Sequence, residues 1–279
     1  MAPIYISFPQ TFTPFELFSH IGTADSPVII DVRTDEDFAS DPRLIPSSIR
    51  RPALTAADWA GSYADRDCVL LCQKGLKLSL GAAAWLRHAG GRAAILESGF
   101  EAWRAAGLPL VPDERIPARD GVGRTIWVTR ERPKIDRIAC PWLIRRFVDP
   151  LAVFLFAPSD AVLAIADRFG ATPFDIEQVF WSHRGEKCSF DTMLEGFGLD
   201  SPALNRLATI VRGADTAQLQ LAPESAGLLA ISLGLSRQYG DDLRQLEAGM
   251  ALYDAFYLWC RDAATETHNW PAQASGRAA

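Results

Sequence analysis

Short, uninterrupted apolar runs punctuate the first part of the chain. "PVIIDV" (Pro27 to Val32), "DCVLLC" (Asp67 to Cys72) and "AAILE" (Ala93 to Glu97) each end at polar residues, the pattern of strands buried on both faces. Between and after them, Asp35 to Ala39, Leu78 to His88 and Phe100 to Ala106 read as helices. Strand alternating with helix predicts an α/β fold with a parallel sheet flanked by helices, whose functional groups gather at the carboxyl ends of the strands. Cys72 ends its strand at that edge. "LVPDERIPARDGVGR", Leu110 to Arg124, breaks the pattern with Pro, Gly and charge and reads as a linker.

Beyond it the pattern changes to an α-rich unit with a few strands. "TIWVTR" and "AVFLFA" read as strands, and "PWLIRRFVD" and "SDAVLAIADRFG" as helices, the latter with Ser159 or Asp160 as N-cap and Gly170 just past its end. After Pro202 almost everything is helical. Leu243, Leu246, Met250, Tyr253, Tyr257 and Cys260 keep a 3-4 spacing, broadened by Leu252, Phe256 and Trp259, which marks a core helix. The expected organisation is a first domain over 1–112, a linker over 113–124, a second domain over 125–271 and a frayed tail over 272–279.

A length of 279 residues agrees with two domains, and 48% hydrophobic with 22% charged residues is an ordinary globular composition. The formal net charge of -6 argues against general nucleic-acid binding and favours small-molecule partners. The start, "MAPIYISFPQ", lacks a basic segment followed by an apolar core, and later apolar runs are too short for a membrane span, so a cytoplasmic protein with no membrane partner is expected. Five cysteines (Cys68, Cys72, Cys140, Cys188, Cys260) without a Cys-x-x-Cys pair are expected to be reduced thiols.

Cys72 carries the sharpest chemistry. A loop leaving a strand for a helix aims several N–H groups at one point, and the helix dipole adds positive character there. Lys74 and Lys77 add charge, and Gly75 allows a tight turn. The plainer reading is a buried strand end, since free cysteine is a common core residue. In the second half, "RERPKIDRIACPWLIRR" is locally basic, and Arg130, Lys134, Arg137 and the more distant Arg184 are candidates for an oxyanion pocket. Solvated or mutually paired charges are the alternative, because Gly240 to Glu266 is acidic. His183, Cys188 and Asp191 crowd "VFWSHRGEKCSFDTMLEGFGL" without a zinc spacing or a Glu-x-x-His pair. A transition metal held by some of His183, Asp191, Glu247, Asp254 and His268 therefore stays open, and with it an oxidoreductase role.

"PVIIDVRTDEDFASDPRLIPSSIRRP", "CVLLCQKGLKLSLGAAAWLRHAG" and "LESGFEAWRAAGLPLVP" resemble, in order and spacing, the rhodanese-like sulfurtransferase domain. The resemblance implies that Cys72 takes a sulfane sulfur from a donor such as thiosulfate, holds it as a persulfide and passes it to a thiol acceptor, with no cofactor. It implies that the loop Gln73, Lys74, Gly75, Leu76 and Lys77 binds the substrate anion. Where the family places Arg then Ser or Thr, this chain has Lys77 and Leu78, so a bidentate clamp becomes a point charge, one hydroxyl is missing, and thiosulfate is expected to be a poor donor. Leu78 also occupies the position that a Cys-loop phosphatase needs as Arg. Asp31 and Arg33 match an Asp-x-Arg pair with a structural or accessory role.

"WVTRERPKIDRIACPWLIRRFVDP", "ATPFDIEQVFWSHRGEKCSFDTMLEGFGL", "IVRGAD" and "LEAGMALYDAFYLWCRDA" followed by "HNWP" resemble the C-terminal domain of the chromate-resistance ChrB family. That implies a chromate response through oxyanion sensing, binding or redox handling. Family members that regulate transcription carry an N-terminal DNA-binding region, replaced here by the rhodanese-like segment. The leading expectation is a sulfurtransferase coupled to chromate response, against a non-catalytic sensor on an inactive scaffold.

Overall fold

The computed structural model describes residues 10–266. The first half runs β1 (Thr11–Phe12), α1 (Pro14–His20), β2 (Val28–Asp31), α2 (Asp35–Ser40), β3 (Arg43–Leu44), β4 (Ile49–Arg50), α3 (Ala56–Trp59), β5 (Asp67–Leu71), α4 (Lys77–His88), β6 (Arg92–Leu96), α5 (Gly99–Ala105) and β7 (Val111–Pro112). Five strands form a parallel sheet in the order β1-β6-β5-β2-β4, with Val69 opposite both Ile29 and Ala94 at its centre. Successive side chains of a strand face opposite ways. Cys68, Leu70 and Cys72 therefore pack toward Ala82, Ala83 and Leu86 of α4, while Val69 and Leu71 join Leu17 of α1 and Phe100 and Trp103 of α5 on the other face. The continuous apolar runs follow from this double covering. The buried positions of α4, Ser79, Ala82, Ala83 and Leu86, keep the 3-4 spacing that turns one face to the sheet.

Antiparallel β3 and β7 pair Leu44 with Val111 and return the chain to the second half. Residues 113–124 are tied down: Asp113 donates its N–H to the Pro42 carbonyl, Ile116 is buried, and Arg119 bridges to Thr125. There follow β8 (Ile126–Arg130), α6 (Asp136–Leu143), β9 (Val153–Ala157), α7 (Val162–Phe169), β10 (Thr172–Pro173), α8 (Ser189–Phe197), α9 (Pro202–Asp215), α10 (Glu224–Gln238) and α11 (Asp242–Leu258). The strands form a small parallel sheet, β10-β8-β9, beside the helices. Among the described residues no helix is long and apolar enough to cross a membrane.

Three local expectations are corrected. The helix predicted from Pro141 starts at Asp136, includes Pro141, and closes in a π-helical turn over Ile144–Val148. Neither Ser159 nor Asp160 caps α7, which begins at Val162 after Ala161 with no side-chain cap, although Gly170 does close it at φ +61°. On α11, Leu243 is 52% exposed, whereas Leu246, Met250, Tyr253 and Tyr257, and Cys260 in the π-helical turn that follows, are buried. His268 and the 272–279 tail lie outside the described residues.

One apolar core runs through both halves, from Phe12 to Cys260. Trp142 sits in it against Phe147, Phe190, Tyr253 and Tyr257. From the first half, Gly22 closes onto it with φ +83°, and a Cβ there would stand 2.4 Å from the Phe147 ring and 2.6 Å from Tyr257. The Ser47 N–H donates to the Phe147 carbonyl at 2.7 Å, and Arg261 reaches back to the Ser19 carbonyl at 2.6 Å.

Candidate functional site

Cys72 follows β5 at the carboxyl edge of the larger sheet, 5% exposed. The chain then curls through Gln73–Leu76, so that the Leu76 N–H donates to Cys72 Sγ at 3.3 Å and Ser79 Oγ lies 3.4 Å from it. Two glycines make the curl. Gly75 has φ +66°, and a Cβ there would meet the Leu96 carbonyl and Gly99 nitrogen at 2.7 Å. Gly99 has φ +60°, and its Cβ would stand 2.1 Å from the Cys72 carbonyl. That carbonyl accepts from Phe100 N–H, and the Gln73 carbonyl from Glu101 N–H, which locks the loop to α5. Gln73 also donates through Nε2 to Glu101 at 3.3 Å. Lys74, Leu76 and Lys77 are exposed around the thiol, while Gly75 is buried.

Burial by itself raises the Cys72 thiol, but hydrogen bonds from Ser79, Leu76 and Lys74 outweigh it and bring the group below the ordinary thiol range. The other four cysteines move the opposite way through burial. Cys68 and Cys260 rise to about 11, and Cys140 and Cys188 rise further. All five are free thiols. The hydroxyl that the resemblance leaves missing at Leu78 is supplied one residue later: Ser79 is fully buried in the first turn of α4 and faces the strand end. Its signal was present in the chain, since Ser79 shares the buried spacing of Ala82, Ala83 and Leu86.

Asp31 and Arg33 form a fully buried pair at 2.7 Å. The guanidinium also donates to the Asp41 and Arg43 carbonyls and stacks 3.8 Å over Phe100. Those contacts fasten the turn after β2 to the start of α5. Beside it, a cleft of about 500 Å³ is lined by Arg33, Arg50, Arg51, Leu54 and Leu78 among others.

The second half gathers a different group. His183 Nε2 stands 3.1 Å from Asp215, 3.4 Å from Asp175 and 3.5 Å from Asp136. Asp136 opens α6, and its position is held by a strained neighbour. Ile135 adopts φ +43° while its N–H donates to Ser232 Oγ and its carbonyl accepts from Tyr253 OH. Burial and the neighbouring Asp215 and Asp175 push Asp136 well above the usual carboxylate range. Burial also opposes ionisation of Asp175, but bonds from His183 and Ser189, with Arg137 and Arg130 nearby, hold it below that range. Bonds to Asp175 and Asp215 raise His183 to about 10.

The predicted oxyanion residues divide. Arg130 and Arg137 converge on Asp175 at 3.2 and 3.4 Å, Lys134 lines a separate cleft with Arg132 and Arg237, and Arg184 stacks 4.3 Å over Phe180. Of the predicted metal set among the described residues, His183 alone stands in the acidic cluster. Asp191 pairs with Arg212, Glu247 with Arg145, and Asp254 with Arg146 and Trp142. Asp136, Asp175 and Asp215 complete the cluster and carry no shared motif in the sequence.

The family model of the rhodanese-like domain matches residues 14–106, and that of the ChrB C-terminal domain matches residues 127–260. Protein ChrB of Cupriavidus metallidurans is 35% identical over 146 residues, which is 51% of this chain and 43% of that protein, so the chain spans less than half the length of this curated relative. Among solved structures, a rhodanese-like domain protein of Staphylococcus aureus is 28% identical with a TM-score of 0.31, covering 34% of this chain and 91% of that one. A rhodanese-related protein of Thermoplasma volcanium is 21% identical with a TM-score of 0.33, covering 38% and 100%. The chain therefore joins a rhodanese-like domain, residues 14–106, to a ChrB C-terminal domain, residues 127–260.

Proposed function

We propose that the rhodanese-like half is a sulfurtransferase in which Cys72 carries sulfane sulfur as a persulfide, and that the ChrB C-terminal half directs this chemistry to the chromate response. The observation that carries the reading is the Cys72 sulfur held between the Leu76 N–H and the Ser79 hydroxyl, with its acidity increased while the other four thiols are suppressed. In the first step the thiolate attacks the outer sulfur of thiosulfate. An S–S bond forms, the S–S bond of the donor breaks, and sulfite leaves with the electron pair. In the second, an acceptor thiolate attacks the persulfide's outer sulfur and Cys72 leaves as thiolate, so no external oxidant or reductant is needed. The same donors that favour the thiolate favour the anionic persulfide. Lys74 and Lys77 supply exposed positive charge for a doubly charged donor, as point charges. Because Lys77 replaces an arginine clamp, a small organic persulfide is expected to load the enzyme faster than thiosulfate.

Intact mass after exposure to thiosulfate, and separately to glutathione persulfide, tests the reading. The native chain should gain one sulfur atom, lose it to excess thiol, and show no gain as Cys72→Ser. No gain from either donor would leave the domain as a non-catalytic scaffold and end the proposal.

A further inference from the structure

We propose that Asp136, Asp175 and His183, with Asp215 beside the imidazole, form a binding site for one divalent transition cation, apart from the cysteine loop. The ligand atoms of Asp136, Asp175 and His183 all lie within 4.8 Å of one another. His183 Nε2 approaches the three carboxylates at 3.1, 3.4 and 3.5 Å. A cation with ligand bonds of ~2.1 Å keeps tetrahedral ligands ~3.4 Å apart, which the separations from His183 to the carboxylates match.

Hydrogen bonding alone accounts poorly for the arrangement. One imidazole N–H can serve one acceptor well, and all three separations exceed the ~2.7–2.9 Å of a good charge-assisted bond. Asp136 is 1% exposed; Oδ2, the oxygen that faces His183, accepts from Ser189 N–H at 2.6 Å, and among the described residues Oδ1 has no hydrogen-bond partner. Arg130 and Arg137 serve Asp175, but among the described residues no lysine or arginine stands within ion-pair distance of Asp136 or Asp215. Burying a carboxylate with one oxygen unpaired beside two further carboxylates is costly, and a bound divalent cation offsets more of that cost than a single imidazole does.

The donor set decides the class of ion. Two carboxylates and one imidazole, with a third carboxylate beside them and no thiolate, suit Mn2+ or Zn2+ better than Cu+. The His183 side chain, 42% exposed, leaves a way in from solvent and room for water as a further ligand.

The full chain, stripped with chelator, should take up one Mn2+ or Zn2+ per molecule by elemental analysis after dialysis. Calorimetry should show at least a hundredfold loss of affinity in His183→Gln and in Asp136→Asn. Both variants are needed, since His183 sits at the surface and is tolerated even if Asp136→Asn unfolds. Water-proton relaxation with bound Mn2+ supplies a readout separate from any activity. Absence of stoichiometric binding, or equal affinity in the native chain and a folded His183→Gln, would overturn the site and leave Asp136 as a structural protonated acid.

Discussion

Ser79→Ala isolates the part of the Cys72 environment that the hydroxyl provides. In the thiol state Ser79 Oγ donates to the Leu76 carbonyl at 3.0 Å and can accept from Sγ–H at 3.4 Å. On ionisation its single proton is better spent on the sulfur. A hydrogen bond to a charged group contributes about 1.5–3 kcal/mol, and releasing the Leu76 carbonyl returns about 1 kcal/mol of it. A net ~1.4 kcal/mol corresponds to roughly a tenfold smaller thiolate fraction at any pH below the transition. The more basic thiolate is also more nucleophilic, with a Brønsted slope of about 0.4–0.5 that restores roughly threefold. Alkylation of Cys72 by iodoacetamide should therefore slow about threefold in Ser79→Ala. The native pH-rate profile should have its midpoint below that of a free thiol, and the variant's midpoint should move upward. Peptide mapping assigns the label, and the other four cysteines are buried and hold their protons more tightly than an ordinary thiol. A folded variant whose midpoint is unchanged or lower would refute the assignment of the hydroxyl as a thiolate donor.

Two further substitutions probe the support of the same loop. Gly99→Ala puts a Cβ against the Cys72 carbonyl in a left-handed backbone; the conformation alone costs about 1–2 kcal/mol, and with the clash the melting temperature should fall by about 5 °C or more in a thermal scan. A fall of less than a degree would mean that the loop is not locked to α5. Arg33→Met strands the buried Asp31 carboxylate and should cost about 3–5 kcal/mol by urea titration, with part of the loss recovered in Asp31→Asn/Arg33→Met; equal stability of all three chains would contradict a structural pair.

The central strands and the cysteine loop were legible because their information is local. Buried parallel strands read as apolar runs, and the β5–α4 loop announces itself through Cys72 and Gly75 within a short stretch. Ser79 escaped because its role depends on the phase of the first helical turn, which decides which side chain looks back at the strand. The acidic cluster escaped for another reason. Asp136, Asp175 and Asp215 come from the start of α6, the loop after β10 and the end of α9, and only the packing of those segments brings them to His183. Pro141 also drew the expected helix start too late, past Asp136. Glu247 and Asp254 do share a face of α11, but Arg145 and Arg146 on the adjoining π-helical turn claim them. The Pro- and Gly-rich stretch from Leu110 to Arg124 reads as a linker by composition, and Ile116 within it is buried in the core.

The core that passes through Gly22, Trp142, Phe147 and Tyr257 binds the two halves into one thermodynamic account. Separating them would bare aromatic rings to water, so they should melt in a single transition. A ligand that binds the folded chain at a hundred times its dissociation constant adds about 2.7 kcal/mol to the stability of whatever unfolds with its site. Here that is the whole molecule. A cation taken up beneath His183 would thus slow the local openings that expose Cys72 whenever those openings breach the common core, and an anion held at the cysteine loop would stiffen the helices around Asp136 in return.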